Sequence, residues 1–66
     1  MPSSVIKSHW YLQDVETLVI TFVSGKVYEY FNVSKTAYEA FRSAYSKGIH
    51  FNKYIKPCHP FKEILS

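Results

Sequence analysis

The 66-residue chain predicts an α+β fold in two layers: a three-stranded antiparallel β-meander followed by two helices packed on one face, in the order β-β-β-α-α. Three observations carry this expectation. Short runs rich in β-branched and aromatic residues fill the first half and are separated by turn residues. Aromatic residues then recur at helical spacing after Ser34. Within the first pattern, between its second and third runs, lies Ser24-Gly25, a hairpin signal that allows only one comfortable register.

Residues 4–12, SVIKSHWYL, read as the first strand. Ile6, Trp10 and Leu12 fall on one face, with Val5 and Tyr11 on the other, and the alternation leaves open which face is buried. Gln13-Asp14-Val15-Glu16 reads as a turn. Residues 17–23, TLVITFV, form the clearest strand, with Leu18, Ile20 and Phe22 on one face and Thr17, Val19 and Thr21 on the other. Residues 26–31 form the third.

The register of this hairpin decides the role of Tyr28 and Tyr30. A two-residue Ser24-Gly25 loop would set Glu29 opposite Ile20, on the most apolar face. A three-residue Val23-Ser24-Gly25 loop, with Gly25 left-handed in a bulge, sets Tyr28 opposite Ile20, Tyr30 opposite Leu18 and Glu29 opposite Val19. Burying an unpaired carboxylate costs several kcal/mol or forces its neutralisation. A one-residue slip moves every side chain to the other face. The bulged hairpin is therefore expected, with both tyrosines turned toward the core.

Ser34 is a good helix N-cap, and Tyr38, Phe41 and Tyr45, with Ala37 and Ala44, make an apolar stripe behind it. Glu39, Arg42 and Ser43 form the polar side. Ser46-Lys47-Gly48 is expected to close this helix, with Gly48 in the left-handed C-terminal position. A second short helix over residues 49–56 would turn Phe51 and Ile55 inward and stop at Pro57. The tail from Cys58 is expected to be extended, anchored by Phe61 and Ile64.

Size and composition narrow the function classes. Sixty-six residues make one domain with a thin core and little room for a deep pocket. Twelve aromatic rings supply much of the apolar area in place of disulfides, which a single cysteine, Cys58, rules out within the chain. No apolar run approaches the ~20 residues of a membrane span, and MPSSVIKSHW lacks an apolar signal core. With one thiol and no such segment, a soluble cytoplasmic protein without membrane association is expected. Residues 1–45 balance four cations against four carboxylates, whereas residues 46–66 carry Lys47, Lys53, Lys56 and Lys62 against Glu63 alone. The whole net charge of +3 lies in the last third, which suits an anionic partner.

Chemistry-bearing residues are sparse. His9, His50, Cys58 and His59 are metal-ligand types, but Cys58 and His59 are adjacent, not paired at chelating spacing, and no metal or cofactor is expected. As neighbours in an extended tail they also point apart, which excludes a nucleophile–base pair. No carboxylate pair, triad or glycine-rich loop is present, so an enzyme is not expected. Phosphate binding has the better case. Lys53 and Lys56, three apart, would share a helix face, Lys47 lies nearby, and Ser46 and Asn52 supply hydrogen bonds at the start of the second helix. The plain structural alternative is that Ser46 and Asn52 cap helix ends.

The run Phe22-Val-Ser-Gly25-Lys-Val-Tyr28-Glu-Tyr30-Phe-Asn-Val33 resembles the central motif of the KTSC domain. Tyr38, Ser46-Lys47-Gly48, Asn52 and Ile55, together with the opening Ser3-Ser4-Val5-Ile6 and Tyr11, extend the resemblance over residues 3–64. This family takes its name from the C-terminus of some lysyl-tRNA synthetases and also occurs as small stand-alone bacterial and viral proteins. The resemblance implies a stand-alone, non-catalytic module that binds RNA or another nucleic acid. Lys47, Lys53, Lys56, Ser46 and Asn52 are the expected contacts. The alternative is a protein-interaction or homodimerisation module that uses the uncovered sheet face, with Val19, Val27, Phe31 and Trp10 as its apolar patch.

Overall fold

A computed structural model describes residues 6–64. Its elements are β1 (Ile6–Leu12), β2 (Thr17–Phe22), β3 (Val27–Tyr30), α1 (Lys35–Arg42), α2 (Lys47–His50, continued by a wide helical turn over Phe51–Ile55) and β4 (Phe61–Ile64). The sheet is antiparallel throughout in the order β1-β2-β3-β4, and the helices cover one of its faces. Positions 4 and 5 of the expected first strand lie outside the described residues.

The bulged hairpin forms as the carboxylate argument requires. Gly25 donates its N–H to the Phe22 carbonyl at 2.9 Å, Phe22 donates to the Lys26 carbonyl at 2.9 Å, and Gly25 has φ +95°. Leu18 pairs with Tyr30, Val19 with Glu29 and Ile20 with Tyr28. No atom would lie within 4 Å of a β-carbon added at Gly25. Gly25→Ala should therefore destabilise the domain through the backbone alone, by about 1–2 kcal/mol. A chemical denaturation curve checks this, and an unchanged midpoint would refute the strained-turn account.

β1 settles the face that alternation left open. One extra residue between Ile6 and Ser8 shifts the register, a β-bulge. It moves Ile6 to the side of His9 and Tyr11, which pair with Ile20 and Leu18 and face the helices. Trp10 points the other way and stays 68% exposed. The 13–16 turn becomes a 3₁₀ turn at Gln13–Val15, closed by Glu16 at φ 50°.

The sheet has four strands, not three. The tail is not extended from Cys58: residues 56–58 turn, Cys58 donating to the Ile55 carbonyl at 3.2 Å, and the extended part begins at Phe61 and pairs along β3, Phe61 with Tyr30, Lys62 with Glu29, Glu63 with Tyr28 and Ile64 with Val27. Phe31 donates to the Pro60 carbonyl at 2.9 Å and opens the ladder. Without this strand, β3 would present a row of unpaired N–H and C=O groups at an edge. Satisfying them drives the tail into the sheet.

The helical layer also departs from expectation. Ser34 caps α1, its Oγ accepting the Ala37 N–H at 3.1 Å, and Ala37, Tyr38 and Phe41 face inward. Glu39 and Arg42 pair at 2.6 Å on the outer side. The helix ends at Arg42, so Tyr45 leaves the stripe and is fully exposed. Ser43 and Ser46, whose hydroxyls compete for backbone groups, favour this interruption. Gly48 does not close α1; it lies buried inside α2, and Gly25 is the left-handed glycine among the described residues. The second helix starts at Lys47, earlier than residue 49. It ends in a π turn in which Lys56 donates to the Phe51 carbonyl at 2.8 Å.

Leu18, Ile20, Tyr30, Val33, Phe41, Phe51 and Ile55 form the core. No buried side-chain polar atom among the described residues lacks a hydrogen-bond partner. Among those residues, no helix is long and apolar enough to cross a membrane.

Candidate functional site

Four residues apart is the spacing that shares a face in the helical turn before Pro57. Phe51 and Ile55 point into the core. Asn52 and Lys56 point along the neighbouring face, into a groove of about 430 Å³ between this turn, the β2–β3 hairpin and β4. The volume falls within the range of small-ligand sites, roughly 300–1,000 Å³. Ser24 and Lys26 come from the hairpin tip, where the left-handed Gly25 turns the chain so that Lys26 stands beside the aromatic strand face.

Rings form the floor and walls. Tyr28 meets Phe22 edge-on, with centroids 5.5 Å apart. Phe61 leans over both tyrosines, 5.6 Å from Tyr28 and 5.5 Å from Tyr30. Tyr30 is buried and belongs to the core, as the register argument expects. Tyr28 shares its strand face but lies beyond the cover of the helices, so it is half-buried and lines the groove. Burial first, and then the Tyr28 phenol beside it, pushes the Tyr30 hydroxyl up from its ordinary value and keeps it a protonated donor.

Lysine is the charged residue type in the groove lining, and no carboxylate is among the lining residues. Glu63 pairs with Tyr28 on the same sheet face, which places a carboxylate at the groove margin. Among the described residues, the Lys26 and Lys56 ammonium groups and the Asn52 carboxamide have no side-chain partner, since the ion pair there is Glu39–Arg42.

The expected phosphate contacts are divided by the fold. Asn52 and Lys56 reach the groove. Lys53, between them in sequence, is exposed outside its lining, because the wide turn does not hold Lys53 and Lys56 on one face. Ser46 and Lys47 stand at the other end of the helical segment. Ser46 caps it, its Oγ accepting the Ile49 N–H at 3.4 Å, which is the structural role weighed for it. Lys26, Ser24 and Phe61 complete the groove and were not among the expected site residues. The extended reading of the tail was the available signal, but Phe61-Lys-Glu-Ile64 does not alternate and so does not mark a strand that brings Phe61 to Tyr28.

The charge of Lys47 instead acts on a histidine. His9 on β1 packs edge-on against Phe41 at 5.2 Å, and its Nδ1 lies 3.5 Å from the Tyr38 hydroxyl. Burial, then the charges of Lys47 and Arg42, lowers its pKa from 6.5. The unfolded chain thus takes up this proton more readily than the folded one. The associated stability is fully present above pH 6.5 and declines as pH falls through the unfolded value toward the lower folded one. Urea unfolding should show a lower midpoint at pH 5.5 than at pH 7.5, and His9→Phe should reduce that difference. Parallel pH curves for the two proteins would rule out His9 as the cause. Among the described residues no group of three His, Cys, Asp or Glu side chains is gathered to hold a metal. Cys58 is exposed.

The KTSC domain profile matches residues 2–59. The chain belongs to the KTSC domain family. The crystal structure of a KTSC domain protein from Yersinia pestis superposes on it with a TM-score of 0.90 and 35% identity, covering 98% of this chain and 92% of that one. Lysine–tRNA ligases are also similar: those of Nostoc punctiforme and Trichormus variabilis are 49% and 41% identical over 61 residues, 92% of this chain. The chain spans 11% of the length of these curated relatives. This KTSC domain therefore corresponds to a small part of each ligase.

Proposed function

We propose that this KTSC domain is a non-catalytic module that binds nucleic acid, and RNA in particular, through the groove between the β2–β3 hairpin, the π turn and β4. One observation carries the reading: Lys26 and Lys56, from distant parts of the chain, flank a single groove whose lining contains no carboxylate. Lysine ammonium groups without protein partners suit phosphate oxygens, and Asn52 and Ser24 add neutral hydrogen bonds. Lys53 and Lys47, outside the groove, extend the positive field along the helical segment, and Ser46 holds its start. The relatives' name supplies the preference for RNA, since lysine–tRNA ligases act on a tRNA.

The test is a titration with labelled single-stranded RNA at several salt concentrations. Affinity should fall with salt at a log–log slope near −0.7 for each phosphate neutralised. Absence of binding at low salt would defeat the reading. A second reading, self-association or docking of a protein on the open sheet face, is favoured by Trp10, 68% exposed beside the half-buried Val19. Sedimentation that stays monomeric as concentration rises would count against self-association.

A further inference from the structure

We infer that the groove admits one unstacked nucleobase, held against Phe61 and Tyr28, while the attached backbone phosphates meet Lys26 and Lys56. The inference rests on the nucleic-acid reading and adds the mode of recognition, single-stranded over duplex.

Charge alone does not require this floor. A surface that only collects phosphates needs exposed lysines; here the lysines line one groove together with rings. Phe61 is 55% exposed although it sits on a paired strand beside the buried Tyr30. Its ring leans toward Tyr28 and Tyr30, at interplanar angles of 50° and 32°. Phe22, edge-on to both Tyr28 and Phe51, braces the floor from behind. An aromatic surface braced in this way loses little side-chain freedom when a flat ring stacks on it. Asn52 and the Tyr28 hydroxyl offer donors and acceptors to a base edge, and Glu63 at the margin can accept from an exocyclic amine. Bases within a duplex are already stacked on both faces and cannot enter, whereas an unpaired base can.

A proline-rich or acidic peptide is the competing occupant. Two cations beside an aromatic floor favour a ligand that joins a flat ring to an anion through a short linker, as the sugar of a nucleotide joins its base to its phosphate.

Three oligomers of equal length state the test: a single-stranded RNA, the same strand with every base removed, which keeps its charge, and its blunt duplex, which carries twice the phosphates, each titrated by fluorescence anisotropy against the intact chain. The base-bearing single strand should bind more tightly than the other two. Phe61→Ala should weaken its binding by about fivefold to a hundredfold and leave the abasic strand unaffected. Phe61→Leu, which keeps the apolar bulk and lacks the flat ring, should show the same selective loss if Phe61→Ala fails to fold. An abasic strand that binds as well as the native one, or affinity unchanged in both variants, overturns the inference and leaves the charge-based reading in place. If no oligomer binds, both fall. An acidic or proline-rich peptide whose binding is abolished by Phe61→Leu, in the absence of RNA binding, replaces both with a protein partner.

Discussion

Phe41→Ala is expected to be among the most destabilising single substitutions in the domain, at a cost of about 3–5 kcal/mol. Phe41 is completely buried and lies where three elements meet. Its ring touches His9 of β1 edge-on at 5.2 Å, Tyr38 of α1 at 6.5 Å and His50 of α2 at 6.2 Å. Truncating a buried phenylalanine costs about 3–5 kcal/mol, because the surroundings refill the space only in part. A domain of this size has roughly 3–10 kcal/mol in total, taking about 0.05–0.15 kcal/mol per residue. The substitution thus removes a large share of the stability or all of it. Circular dichroism against temperature and urea measures the loss, with Ala40→Gly, an exposed position on the same helix, as the comparison. Ala40→Gly should cost only about 1 kcal/mol. Equal effects from the two substitutions would show that helix propensity, not the Phe41 joint, holds α1 on the sheet.

The β2–β3 register is legible in the sequence because a single carboxylate decides it. Glu29 had one acceptable partner face, so Gly25 had to be left-handed and Tyr30 had to be buried. No comparable penalty guarded the first strand. Ser8, His9, Trp10 and Tyr11 fit either face, and the choice was made by a bulge that no residue type announces. The fourth strand was hidden for a related reason. Phe61-Lys-Glu-Ile64 is short, and its partners lie 31 to 37 residues back in the chain, so local pattern gives its conformation but not its neighbour.

That missing neighbour also explains why the candidate site was half legible. Lys56 and Asn52 stood out because basic charge clusters in the last third of the chain. Lys26 did not, since the first 45 residues are electrically balanced and nothing in sequence links the hairpin tip to Lys56. Lys53 and Lys56 were paired on the assumption of an α-helix, and the π turn, which adds a residue to the hydrogen-bonded loop, separates them. Tyr28 was placed on the correct face of the sheet. Whether it was covered depended on how far α2 reaches, a tertiary length that its own strand does not encode.

The combined reversal Lys26→Glu with Lys56→Glu should abolish most RNA binding, and its comparison with Lys47→Glu/Lys53→Glu locates the site. Both double variants change the net charge by the same amount, from +3 to −1. A general electrostatic attraction would therefore treat them alike. A groove that neutralises two phosphates at Lys26 and Lys56 predicts a difference. Loss of two contacts on a single strand removes about 1.4 from the log–log salt slope, which near 50 mM salt amounts to on the order of a hundredfold in affinity. Lys47 and Lys53 lie outside the lining and act through a field screened over about 10–15 Å at that salt, so their reversal should cost several-fold less. Lys26 and Lys56 are exposed, so folding should survive their exchange, and the far-ultraviolet spectrum and urea midpoint check that it does. If Lys47→Glu/Lys53→Glu proves the more damaging pair, the contact surface is the start of α2 and the groove is bystander. Equal losses in affinity and slope would mean that net charge alone governs binding and that no localised phosphate site exists on this face.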